Sequence, residues 1–145
     1  MTIGTRQKFY AIFAMIILLF TMSACGSTFS EKDLAACQSA WENTSDALSS
    51  APRATYSASA PDPTFDEVTR HYEDLLDSRK ELIALAASVE SSELKAALMD
   101  FAIGTGAMAI DFLNNPRSRG TAGITKFNDS LKSVLDLCEA SGWER

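Results

Sequence analysis

The chain holds one histidine, His71, with Glu67 four residues before it and Asp74 three residues after it. On a helix that spacing turns all three toward one side. Such a trio could hold a divalent metal, or a general base oriented by a carboxylate. A di-metal centre in a helical bundle, however, is built from Glu-x-x-His repeated on two helices. Here the spacing differs and there is no second histidine, which excludes a centre of that type. His71 reads instead as a solvated side chain paired with its acidic neighbours. Nucleophiles fare no better. The serines lie outside any Gly-x-Ser-x-Gly elbow, and neither a phosphate-binding loop nor a paired-glycine fingerprint is present. Cys138 falls in an apolar repeat, not in the electropositive surroundings that activate a thiol. The expectation is a protein that is not an enzyme, with no catalytic residue, no metal and no cofactor.

Of the three cysteines, Cys25 has the most telling neighbours. Arg6 and Lys8 precede an uncharged run from Phe9 to Met22, followed by Ser23, Ala24 and Cys25. A basic start, an apolar middle and a small-residue site make up an export signal. The middle is shorter than the roughly 20 apolar residues needed to span a bilayer, so cleavage is expected rather than spanning. Met22-Ser23-Ala24-Cys25 resembles the lipobox of bacterial lipoproteins, with Met22 standing where Leu is usual. The resemblance covers only residues 1–26. It implies that the chain is cut before Cys25, that the Cys25 sulfur carries a diacylglyceryl group, and that the protein stays on the extracytoplasmic face of the cell membrane or outer membrane. Each buried methylene contributes about 0.8 kcal/mol, so two acyl chains hold stably where one holds marginally.

Loss of residues 1–24 removes Arg6 and Lys8, leaving 11 basic side chains against all 19 acidic ones, a net charge of −8. A body this acidic is repelled by nucleic acid and by anionic head groups. Export also places Cys37 and Cys138 in an oxidising space, where two leftover cysteines admit one pairing.

The elements that carry these residues are helical. Ser30 offers an N-cap, with Glu31 and Asp33 in the first turn where the helix dipole favours negative charge. Leu34, Cys37, Trp41 and Leu48 then form one stripe. Residues 49–63, SSAPRATYSASAPDP, have no apolar period and read as a linker, a candidate for O-glycosylation in some envelopes. Thr64 and Glu67 make a capping box. A second helix follows through Val68, Tyr72, Leu75, Leu82, Ala86 and Val89, interrupted by Arg79. A third carries Leu94, Leu98, Phe101, Met108 and Phe112, with Gly104 and Gly106 at a close approach or a bend. The fourth, opened by Gly120 or Thr121, repeats Ile124, Phe127, Leu131, Val134 and Cys138 at intervals of three and four, as bundle seams do. Gly142 supplies a left-handed stop, and Trp143 is placed to fold back on the last turn.

The expected protein is all-α: a four-helix, up-down-up-down bundle closed by a Cys37–Cys138 disulfide between its first and last helices. Its parts are a signal peptide (1–24), a tether (25–30) and a bundle domain (31–145) containing the linker 49–63. Arg117 and Arg119 mark a basic loop tip in an acidic protein, read mainly as solubilising. The expected role is non-catalytic: an anchored protein-interaction or accessory module of the cell envelope, joined to its membrane through Cys25 and contacting another envelope protein. The alternative is a carrier of a small apolar or lipid ligand held among Trp41, Tyr72, Phe101, Met108 and Phe112.

Overall fold

A hydroxyl residue starts every helix. Ser30, Thr64, Ser91 and Thr121 lie in extended backbone, and each side chain accepts a hydrogen bond from the N–H three residues on, at 3.2, 3.2, 3.2 and 3.4 Å. These bonds satisfy donors that the first helical turn leaves free. The computed structural model describes residues 29–52, 60–117 and 121–144. The export signal, Cys25 and Arg119 lie outside them. Within the described residues the chain forms four helices and no strand: α1 (Glu31–Ser49), α2 (Phe65–Ser88), α3 (Ser92–Asn114) and α4 (Ala122–Ala140).

Successive helices run antiparallel, with α3 packed extensively against both α2 and α4 and with α1 laid against α2 and α4. Cys37 near the start of α1 and Cys138 near the end of α4 therefore meet at one end of the bundle. They are joined by a disulfide with a Cα–Cα distance of 6.0 Å. The fourth helix stops as its sequence predicts. Gly142 takes φ 92°, the Trp143 N–H donates to the Cys138 carbonyl at 3.0 Å, and the buried indole donates to Gln38 Oε1 at 3.2 Å.

The core seams differ from the predicted stripes in instructive ways. On α2 the buried line is Val68, His71, Leu75, Ser78, Leu82 and Ala86, so Tyr72 lies half-buried beside it and Arg79 is exposed. On α1 the buried residues are Asp33, Ala36, Cys37, Ala40, Thr44 and Ala47, with the larger Leu34, Trp41 and Leu48 flanking them. Small residues let α1 approach closely, but they also bury little apolar area, so α1 gains less from the hydrophobic effect than its neighbours. Phe29, next to the first helix, is part of the core. α1 continues to Ser49, and Pro52 is buried.

Glycines set the spacing of α3 and α4. A Cβ on Gly104 would lie 2.5 Å from Ser130 Oγ and 3.0 Å from Phe127 Cα, so this residue marks a close approach and not a bend. At Gly123 the added carbon would meet the Ala107 carbonyl oxygen at 2.5 Å and its carbon at 2.7 Å. The Gly123 N–H meanwhile donates to Asp111 Oδ2 at 2.7 Å. Backbone cannot swing aside as a side chain can. Gly123→Ala is therefore expected to lower unfolding free energy by about 1–2 kcal/mol through overpacking, read from the shift in the urea midpoint at unchanged slope.

Candidate functional site

Among the described residues, the side chains with chemical potential do not converge. His71 is fully buried, which corrects its reading as a solvated, pair-forming side chain: the seam of α2 passes through residue 71. The Ser50 hydroxyl donates to the Ala47 carbonyl at 2.9 Å and lies 3.0 Å from His71 Nδ1. A hydroxyl has one proton, so while it donates to the carbonyl it can only accept from an Nδ1–H of the ring. Among the described residues Nε2 is buried with no hydrogen-bond partner, and Phe112 stands edge-on to the ring at 4.6 Å. Burial pushes the His71 pKa down, against the opposing pull of Asp74 and the Ala47 carbonyl. An imidazole sealed into the core in this way ties α1, α2 and α3 together and is closed to substrate. Glu67, which the sequence placed beside it, is occupied elsewhere: its carboxylate accepts from the Thr64 N–H and hydroxyl at 2.7 and 2.9 Å.

Both cysteine sulfurs are committed to the disulfide, and both residues are buried. Between α1 and α2 runs a groove of ≈ 510 Å³ bordered by the carboxylates of Glu42, Asp46, Asp74, Asp77 and Glu81. It is crossed by a relay in which the Ser78 hydroxyl donates to Asn43 Oδ1 and the Asn43 amide donates to Glu81. Among the described residues no three His, Cys, Asp or Glu side chains are arranged to hold a metal ion. Of the two arginines at the basic loop tip, Arg117 pairs with the Asp62 carboxylate and donates to the Ala60 carbonyl at 2.8 Å. That contact fastens the far end of the linker to the α3–α4 loop.

The aromatic set proposed as a pocket lining is core. Phe101 and Phe112 are buried, Phe101 packs on Phe127 at 5.3 Å, and Met108 is 7% exposed. Trp41 and Tyr72 are half-buried against the same cluster. A cleft between α3 and α4 is lined mainly by polar side chains such as Asp100, Thr125, Lys126 and Asp129.

The feature that sequence reasoning missed is the outer face of α3. Met99, Ile103, Ile110 and Leu113 are 40%, 46%, 56% and 45% exposed. At 100° per residue they fall within one narrow stripe, opposite the face that carries Leu94, Leu98, Phe101 and Phe112. Ile83 of α2 adds a further exposed apolar side chain at 39%. By length and apolarity α3 would pass for a membrane span, yet more than half of its apolar window is buried within the bundle. It is a core helix with a second apolar face turned outward. Exposed apolar patches of this kind, rimmed by polar residues, mark surfaces that meet something else. Comparison with known proteins finds no family model, no curated protein and no solved structure that matches the chain.

Proposed function

We propose that this protein is a lipid-anchored, extracytoplasmic interaction module of the cell envelope, with no catalytic role of its own. The observation that carries the interaction reading is the exposed α3 stripe of Met99, Ile103, Ile110 and Leu113 on a bundle whose Phe101, Phe112 and Phe127 are buried in its own core. The anchor rests on the lipobox-like Met22-Ser23-Ala24-Cys25. Only residues 26–28 separate Cys25 from Phe29, the first described core residue. At about 3.5 Å per extended residue the bundle would ride close to the membrane surface, where a partner on the same membrane is within reach.

One experiment tests both halves. The full chain is expressed with a photoreactive side chain in place of Ile103, with and without Cys25→Ser, then fractionated and irradiated. The expected result is membrane-bound chain that cross-links to protein, and release from the membrane in the Cys25→Ser chain. Retention of the Cys25→Ser chain at normal mature mass overturns the anchor. Cross-links to lipid alone overturn the interaction reading in favour of a ligand carrier.

A further inference from the structure

The outer face of α3 has a stricter order than exposure alone suggests. Ala96, Met99, Ile103, Gly106, Ile110 and Leu113 follow one another at intervals of three, four, three, four and three, the spacing of a coiled-coil seam. In heptad terms Ala96, Ile103 and Ile110 occupy a positions, and Met99, Gly106 and Leu113 occupy d. Ile at a with Leu at d favours two parallel strands. The seam is outward-facing except at Gly106, which lies under the stem of Arg79 from α2.

The flanks settle which occupant fits. Lys95 stands at the g position and Asp100 at the next e position, and both are exposed. In a parallel pair, g of one helix meets the following e of the other, so Lys95 would face Asp100 of the partner subunit, twice by symmetry. An antiparallel pair sets g against g and e against e. Lys95 would then oppose Ala102, Ala109 or another Lys95, and Asp100 would oppose Glu93, Ala107, Asn114 or another Asp100, so no register brings opposite charges together. Arg79 adds a second cation on the g side. The surface is therefore complementary to itself in one orientation only.

We infer that the partner of this face is a second copy of the chain, docked as a parallel two-fold pair through α3. The inference deepens the interaction reading above and rests on it. A parallel pair places both amino-terminal ends at the same end of the dimer, as two copies tethered to one membrane require. The seam spans about five turns on each side, but with Ala96 and Gly106 among its six residues it offers little apolar area against the roughly 800 Å² per partner of a stable soluble interface. Confinement to a membrane raises the effective concentration and compensates for that small area.

The test uses the full chain, exported and oxidised in membranes, with Ile103→Cys, Ile110→Cys or, on the exposed side of α1, Ser45→Cys. Across a parallel two-fold seam, like a positions lie close together, so Ile103→Cys and Ile110→Cys should each give a reducible species of twice the mass. The yield should exceed that of Ser45→Cys by about tenfold. Lys95→Glu in the Ile103→Cys chain should lower the yield about threefold, and adding Asp100→Lys should restore it. Equal yield from Ser45→Cys, or no restoration by the double charge reversal, overturns the parallel pair. If Ile103→Cys bonds only to a different protein, the second-copy proposal fails while the interaction reading stands. If it gives no product and the photoreactive Ile103 chain captures no protein, both fail.

Discussion

Replacing Cys37 and Cys138 together by alanine is expected to lower unfolding free energy by about 3–5 kcal/mol. The bridge joins residues 101 apart in sequence and so closes almost the whole folded chain into a loop. In the chain-entropy account the constraint on the unfolded state grows with loop length, which puts this bridge near the upper end of the usual range. The packing says where the loss appears first. α1 buries mostly small side chains, Ala36, Ala40 and Ala47 among them, whereas α3 contributes Leu94, Leu98, Phe101 and Phe112. With little apolar area to hold it, α1 relies on the disulfide. In the double variant, amide exchange should therefore accelerate in α1 before it does in α2, α3 and α4, a local opening rather than a global one. Uniform acceleration across all four helices would show that α1 is as firmly packed as the rest. Reductant alone should act slowly on the native protein, since both cysteines are at most 2% exposed.

What could be read in advance follows from how local each signal is. The Ser30 and Thr64 caps, the Gly142 stop and the pairing of two cysteines depend on neighbouring residues or on chemistry with one solution, and all are found where the sequence places them. The seams were harder. On α2 the apolar residues Tyr72 and Leu76 stand beside the true line, which passes through His71 and Ser78, so a search for apolar periodicity shifts by one position. The polar seam residues work only because a distant partner satisfies them: Ser50 for His71 and Asn43 for Ser78. The α3 surface was hidden for the opposite reason. Two apolar stripes on one helix overlap in sequence and read as a single hydrophobic run, and only the packing tells which stripe is covered. The heptad spacing of Met99, Ile103, Ile110 and Leu113 was nevertheless present in the sequence and is the signal that would have separated them.

Asp33 was legible only in part, and its loss carries the second large effect. The sequence presents it as a first-turn acid favoured by the helix dipole. The structure makes it a tertiary staple, 3% exposed at the end of the bundle where α1 begins. One carboxylate oxygen accepts from the Ser30 N–H and hydroxyl at 3.1 and 3.0 Å, and the other accepts from the backbone N–H groups of Glu90 and Ser91 at 2.8 and 3.2 Å. A single side chain thus caps α1 and pins the turn between α2 and α3. Asp33→Asn keeps the shape but sets an amide donor against donors, and is expected to cost about 2–3 kcal/mol. Burial raises the Asp33 pKa, but the N–H groups of Ser91, Glu90 and Ser30 and the Ser30 hydroxyl outweigh it and hold the pKa below 3.8. A carboxylate whose pKa is depressed by folding stabilises the folded state above its unfolded pKa of about 3.9, and this contribution fades as pH falls through the lowered folded value. The stability gap between the native chain and Asp33→Asn should therefore be constant from neutral pH down to about pH 5 and narrow below pH 4. Glu67, also held low by its Thr64 cap, is common to both proteins and cancels from the difference. Urea unfolding of the pair across that range measures the gap directly. A gap that stays level through pH 3 would mean that the ionised carboxylate is not what fastens α1 to the α2–α3 turn.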